Sequence, residues 1–242
     1  MAGANPTFPD NSLLGMLAVP WWTTSKGRAL QRGRLVWAYL PHVEQEPRTL
    51  TIVGRTDDAD HTRAEFRLEP LEASRAKTRR PGPPVAAMPL NRDEVYTVYR
   101  AKFRPCLVMN EPTPPVPREL RGDSKWQTAP TFLVAPYYGG DQDGTRAGFR
   151  PEFLDRARRG VYPQFLVDRL PIGGPVESVL RMDHIQPVGV HGNSHVVTEH
   201  QLSPEAMALL DDWLIWLTTG LVPEDSDLYS ALQLLAAPPP KV

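Results

Sequence analysis

Three short apolar segments of the chain carry residues that can bind an anion or transfer a proton. They are Arg104 before the run 105–109, Tyr137 and Tyr138 after the run 132–136, and Arg181 and Asp183 near the end of the run 178–185. The planar guanidinium of arginine suits the oxygens of a phosphate, and a carboxylate can accept a proton from a reacting hydroxyl. These residue types can bind a phosphate and move a proton, and they equally suit ordinary solvated strand ends.

The spacing of Arg181 and Asp183 favours a shared site. Successive side chains of a strand point to opposite faces, so residues two apart share a face. The plainer interpretation is a solvated ion pair, which contributes less than about 1 kcal/mol. Likewise, Arg104 is either a phosphate ligand or an arginine at a strand end that faces water.

Five pieces in a fixed order give these residues a context. They are Gly33–Leu40, Arg104–Met109, Val134–Gly140, Arg181–Asp183 and a C-terminal helix over 203–219. In that order they resemble the MazF/PemK family, small barrel-forming toxins that cut single-stranded RNA without a metal.

The resemblance implies a metal-independent endoribonuclease, the toxin of a toxin–antitoxin-like system. Asp183 would be the general base, Arg181 the acid or charge stabiliser, and Arg104 the ligand of the scissile phosphate. Tyr138 stands where the family has threonine or serine; a phenol can donate to phosphate and stack on a base. The implied partners are single-stranded RNA, an antitoxin protein and a second copy of the chain as a homodimer.

The segment after 139 mixes cations with aromatic rings. It contains Arg146, Arg150, Arg156, Arg158, Arg159 and Arg169, with Phe149, Phe153 and Tyr162 between them. Such a mixture suits single-stranded RNA, and we take Tyr137, Tyr138, Arg146 and Arg150 as candidate substrate-binding residues. An amphipathic helix with a solvated charged face explains the same pattern.

The predicted elements are mostly short strands. Strands are predicted over 33–40, 48–54, 63–69, 94–99, 105–109, 132–135, 163–170 and 176–185. Pro151 and Gly160 bound a short helix, while Ser203, Pro204 and Gly220 give a longer helix its N-cap, first residue and end. The pattern predicts a mainly β fold with peripheral helices, and with the resemblance a small SH3-like, PemK-like β-barrel with a C-terminal helix.

The domain organisation follows from the same pieces. We expect one PemK-like domain over 1–242, with an N-terminal extension over 1–32 and an insertion over 41–93 that forms its own hairpin or subdomain. In an alternative register Arg48 takes the place of Arg104, but the distance from Arg104 to the run at 132–140 fits the family order better.

Composition excludes several classes of protein. The net charge of −1 argues against general coating of nucleic acid but allows a local basic groove. The one cysteine, Cys106, excludes an internal disulfide and a cysteine-based zinc site, and it reads as a small buried hydrophobe. The spacing of His184, His191, His195 and His200 suits no metal, so we expect no metal and no cofactor. We also expect a cytoplasmic protein that does not enter a membrane.

A second function is open at this point. The barrel would be catalytically inactive and act as a protein- or RNA-binding module, with the Trp21-Trp22 pair and residues 41–93 as its binding surface. His184 could assist proton transfer near neutral pH, but in a regular strand it would face away from Asp183.

Overall fold

The structure is a computed structural model, and the chain divides in it into two compact units. Residues 1–39 and 103–242 form the first unit, and residues 40–102 form the second. The structure describes residues 8–16, 20–27, 29–57, 59–60, 62–72, 90, 94–121, 128–141, 147–173 and 176–236.

The described residues form eleven strands and three α-helices. In chain order these are β1 Trp22–Thr24, β2 Arg34–Pro41, β3 Arg48–Gly54, β4 Glu65–Pro70, β5 Tyr96–Val98, β6 Ala101–Val108, β7 Thr131–Gly139, α1 Pro151–Arg158, β8 Phe165–Asp168, β9 Ser178–Arg181, β10 Gln186–Gly189, β11 His195–Leu202, α2 Pro204–Thr219 and α3 Asp227–Ala236. The predicted mainly β fold with peripheral helices is confirmed.

The large sheet of the first unit has eight strands. Seven follow one another in the order β1-β11-β2-β6-β7-β9-β8, and β10 pairs with β7 beside β9. Among the described residues this path ends at β1 and β8, so the sheet is not closed. The sequence predicted a closed barrel, and the structure differs from that prediction. Both end strands are short, with three and four residues, which leaves little backbone to join the two edges.

One face of this sheet carries the main core, under α2. Leu107, Tyr137 and Leu180 point to this face and pack with helix residues that include Leu210 and Trp213. As predicted, α2 begins at an N-cap serine, Ser203, whose Oγ accepts from a backbone N–H, and ends at Gly220 with φ 76°. Side chains of this size each contribute about 1.5–3 kcal/mol when fully buried.

The opposite face is covered at its β8–β9 end by α1. Leu154 and Ala157 of this helix pack against Val167 and Val179 of the sheet. The helix runs from Pro151 to Arg158, as the prolines and glycines of this segment predicted. Along β6 the same face is lined by fully buried residues such as Cys106, which is the small core residue that the sequence indicated.

The second unit is built on a three-stranded antiparallel sheet in the order β4-β3-β5. Opposite Leu50 lie Leu68 on one side and Tyr96 on the other, and Ile52 lies opposite Phe66. Because these pairs share one face of the pleat, the unit has an apolar face.

Three predicted elements differ from the structure in ways that matter for the site. The strand expected over 176–185 ends at Arg181 and turns into a short 3-10 helix, Met182–His184. β7 continues to Gly139, so Tyr138 lies within the strand and not after its end. Residues 195–202, over which the sequence predicted no strand, form β11, which pairs with both β1 and β2.

Candidate functional site

Three neighbouring strands bring the predicted residues together. β6 and β7 are antiparallel, and Cys106 lies opposite Pro136. Arg104, two residues before Cys106, and Tyr138, two residues after Pro136, therefore share one face of the sheet. Tyr138 lies opposite Val179 of β9, and Arg181 follows two residues later on the same face. The sheet register therefore gathers side chains from segments about 80 residues apart in the chain.

Tyr138 is the centre of the cluster. The guanidinium carbon of Arg104 lies 3.9 Å from the centroid of the Tyr138 ring, and that of Arg181 lies 5.7 Å from it. A cation over an aromatic face contributes about 0.5–2 kcal/mol, more where water is excluded. Arg104 is only 7% exposed, so the ring of Tyr138 and this guanidinium form a packed pair.

Arg181 and Asp183 form a two-bond ion pair. Nε and one terminal nitrogen of Arg181 donate to the two carboxylate oxygens of Asp183 at 2.8 and 2.7 Å. Partial burial acts to raise the pKa of the Asp183 carboxyl, but the hydrogen bonds and charge of Arg181, with a contribution from His184, hold that pKa below its usual range. Asp183 is therefore an anion that loses its best partner if Arg181 binds another acceptor.

His184 joins this group through both ring nitrogens. Nε2 lies 2.6 Å from a terminal nitrogen of Arg181, and Nδ1 lies 3.0 Å from the Tyr138 hydroxyl oxygen. Because arginine can only donate, Nε2 must accept, and the proton of the neutral ring is then on Nδ1, which donates to Tyr138. The expected orientation of His184 away from Asp183 is wrong, since the 3-10 turn brings its Nε2 to 3.9 Å from an Asp183 oxygen.

The cluster faces outward through Asp183, whose side chain is 37% exposed, and through the half-buried Tyr138. Beside them the guanidinium of Arg181 also lies 4.8 Å over the ring of Phe165. The arrangement places an anionic carboxylate, a phenol hydroxyl and a guanidinium side by side, with the carboxylate more exposed than the guanidinium side chain. It can accept a proton, donate one and stabilise negative charge.

The other candidate residues lie elsewhere. Tyr137 is buried on the opposite face, where its hydroxyl donates to Asp168 at 2.8 Å, so the structure does not place it at the site. Arg150 is an exposed residue at the N-cap position of α1, and Arg146 lies outside the described residues. Arg48, the alternative to Arg104, lies on β3 in the second unit.

The Trp21-Trp22 pair does not lie on the protein surface either. Both rings are buried, and their indole N–H groups donate to the two oxygens of Asp168 at 3.2 Å. This corrects the interpretation of the pair as a binding surface. A buried carboxylate that accepts from two indoles and a phenol ties the N-terminal segment to the sheet.

Sequence reasoning missed Phe165 and the contacts of His184. A signal for the second was present, because Asp183 is a poor residue for the interior of a strand and favours turns. The strand breaks at that position, and the 3-10 turn that follows brings His184 to Tyr138.

The described residues contain no group of three or more histidine, cysteine, aspartate or glutamate side chains that could hold a metal ion. None of the helices in the described part of the chain is both long and apolar enough to cross a bilayer.

Comparison with known proteins adds no relative. No protein-family model matches the chain, and neither curated proteins nor solved structures give a significant match. The geometry of the cluster is therefore the main ground for a function.

Proposed function

We propose that the protein is a metal-independent endoribonuclease acting on single-stranded RNA, with its site at Tyr138, Arg181, Asp183 and His184. The observation that carries the proposal is the connected set of contacts from Asp183 through Arg181 and His184 to Tyr138, with Arg104 against the Tyr138 ring. A solvated strand ion pair would not require the histidine, the phenol and a second, buried arginine at the same place.

Asp183 acts as the general base. When a phosphodiester binds, its oxygens draw the donors of Arg181 away from Asp183, and the pKa of the carboxyl rises because its stabilising partner is lost. The carboxylate then takes the proton of the ribose 2′-hydroxyl. The 2′-oxygen forms a bond to phosphorus as the bond from phosphorus to the 5′-oxygen breaks, which leaves a 2′,3′-cyclic phosphate.

Tyr138 supplies the proton to the leaving 5′-oxygen, a role that the resemblance to the toxin family gives to arginine. Guanidinium groups stay protonated in proteins, which makes arginine a poor acid. The phenolate that remains on Tyr138 is stabilised by Arg104 over its ring and by the Nδ1–H of His184 at its oxygen. Solvent then returns the proton from Asp183 to Tyr138.

Arg181 stabilises the charge that develops on the phosphoryl oxygens. The role proposed for Arg104 changes with the geometry, because its buried guanidinium stacks on Tyr138 and supports that ring. The resemblance further supports a toxin regulated by an antitoxin protein that covers the site, and a homodimer, as parts of this proposal.

The test is cleavage of single-stranded RNA in the presence of EDTA. We expect products with 2′,3′-cyclic phosphate ends, and a loss of about 100-fold or more for Asp183→Asn and for Tyr138→Phe. A second substrate carries sulfur in place of the leaving 5′-oxygen, and thiolate departs without a proton. On that substrate Tyr138→Phe should regain the wild-type rate, whereas Asp183→Asn should not.

Glu69→Gln is the matched control. Arg67 and Glu69 form an ion pair at 3.0 Å with the same arginine-x-carboxylate spacing, on β4 in the second unit. This variant should cleave like the wild type. Failure of the folded wild type to cleave any RNA would refute the proposed enzymatic activity. If the sulfur substrate does not restore the rate of Tyr138→Phe, only the proposed role of Tyr138 as the acid is refuted.

A second candidate is a protein- or RNA-binding module without catalysis. The observation that favours it is the internal compensation of the cluster, since Arg181 is paired with Asp183 and Arg104 is covered by Tyr138. This function predicts that the wild type binds RNA or a protein with no cleavage, and that Asp183→Asn, by releasing Arg181, tightens the binding of RNA.

A further inference from the structure

Beside the proposed catalytic cluster, aromatic rings form a column. The rings of Tyr162 and Phe153 are stacked with centroids 5.6 Å apart and planes inclined by 15°, and those of Phe153 and Phe149 are stacked at 5.1 Å and 25°. Three near-parallel rings in a row form an offset stack, and a nucleic-acid base can stack on the face of such a ring.

Phe165 connects this column to the cluster. Its ring stands nearly perpendicular to those of Phe153 and Tyr162, with centroids 5.0 and 6.1 Å away. The guanidinium of Arg181 lies over the ring of Phe165, and the same arginine bonds Asp183 and His184. One residue of the proposed site is thus in direct contact with the aromatic group.

The charge around the column is suited to RNA. Arg156 is exposed and directs a terminal nitrogen to the Tyr162 hydroxyl at 3.5 Å, and neither it nor the exposed Arg150 forms an ion pair with a described residue. The carboxylates on α1 are the exposed Glu152 and the half-buried Asp155, and Asp155 is paired with Arg159. The apolar core under α1 also packs against Phe149, Phe153 and Phe165, and all four rings of the aromatic group remain half-exposed.

We propose that the Tyr162 end of this column is a subsite for one unpaired base of the RNA whose phosphate is held at Arg181. The base extends the column by stacking on Tyr162, and Arg156 contacts the adjacent phosphate. This inference rests on the proposed function, since it names how the same substrate is positioned. Stacking reads only the π-face of a base, so the subsite selects single-stranded over paired RNA and tolerates different bases.

The test measures binding apart from cleavage. A fluorescent oligonucleotide with 2′-O-methyl groups lacks the attacking hydroxyl, and its affinity is measured by anisotropy. We expect Tyr162→Leu to raise Kd by about 5-fold or more, because stacking contributes about 1–3 kcal/mol per base. Tyr162→Phe keeps the ring and should bind within about 2-fold of the wild type.

Two controls exclude a purely structural effect. Tyr39→Leu makes the same change at a tyrosine on β2 that is 71% exposed, and it should leave Kd unchanged. In a second control, the bases of the oligonucleotide are replaced one at a time by abasic sites. At one position the wild type should bind the abasic oligonucleotide as weakly as Tyr162→Leu binds the intact one. At that position the loss of affinity from the abasic site and the loss from Tyr162→Leu should not add.

The outcomes separate this inference from the proposed function. An unchanged Kd for Tyr162→Leu, in a wild type that binds and cleaves RNA, would overturn the subsite alone. Losses that add at every position would overturn it as well, because they would show a general disturbance of the fold. A wild type that neither binds the oligonucleotide nor cleaves RNA would overturn both.

Discussion

Replacing the buried Asp168 by asparagine tests how the fold holds a carboxylate in its core. Asp168 is fully buried, and its oxygens accept from Trp21, Trp22 and Tyr137. Burial raises the pKa of this carboxyl to about 6, although the hydrogen bonds from the three side chains oppose the shift. Asp168→Asn keeps the shape of the side chain and removes its titration.

The magnitude follows from the size of the shift. The pKa of Asp168 rises from 3.8 to about 6, and one pKa unit corresponds to about 1.4 kcal/mol, so ionising Asp168 removes about 3 kcal/mol of stability from the fold. Because folding raises the pKa of this group, its contribution to the stability of the fold is fully present below the pKa of the unfolded chain. The contribution is lost as the pH rises through the pKa of the folded protein. The loss therefore falls between about pH 4 and pH 6.

The assay is urea unfolding of both proteins between pH 4 and pH 7.5. At pH 4 we expect the variant to be less stable by about 1–3 kcal/mol, because its amide N–H groups face an indole N–H and leave a buried donor unpaired. The difference in the free energy of unfolding, wild type minus variant, should fall by about 3 kcal/mol by pH 7.5. Other titrating groups cancel in this difference. A difference that grows with pH would refute the reasoning. The hydrogen bonds to Asp168 would then lower its pKa by more than burial raises it.

Three further changes have expected results. Burial raises the pKa of the Cys106 thiol to about 12, so a thiol reagent at pH 8 should label the protein only in denaturant. Ser203→Ala removes the N-cap of α2 and should lower the free energy of unfolding by about 1 kcal/mol in urea titrations. Gly160→Ala should lower it by about 2 kcal/mol or more, because φ is +68° and the new Cβ would lie 2.5 Å from a leucine of α3. At Gly220, where φ is +76° but nothing lies within 4 Å, the same substitution should have the smaller effect on the same measurement.

The sequence was informative where local chemistry decides the structure. The helix boundaries at Pro151, Ser203 and Gly220 could be read directly, because proline, serine and glycine act there through their own backbone and side-chain geometry. Cys106 could be placed in the core from the apolar run around it.

Long-range pairing could not be read in the same way. Arg34 lies in a segment that reads as an ordinary strand, yet it is fully buried, and its terminal nitrogens donate to Ser25 and to the carbonyl of Thr198, 164 residues away. The candidate site shows the same division. The prediction that Arg181 and Asp183 share a site is met by their ion pair, but Asp183 lies in the 3-10 turn and not in the strand, so alternation is not the cause. The contact of His184 depends on the same turn, which the strand pattern did not show.

The position of β11 between β1 and β2 has a consequence for synthesis of the protein. Thr23 and its hydrogen-bond partner Gln201 are 178 residues apart, so at 5–20 residues per second about 9–36 s separate their appearance on the ribosome. During that interval β2 exposes an edge next to the apolar residues Leu35 and Val36. Residues 40–102 can fold locally in the meantime, whereas the first unit must wait for its last strand. The nascent chain is therefore expected to depend on chaperones until residue 202 has emerged.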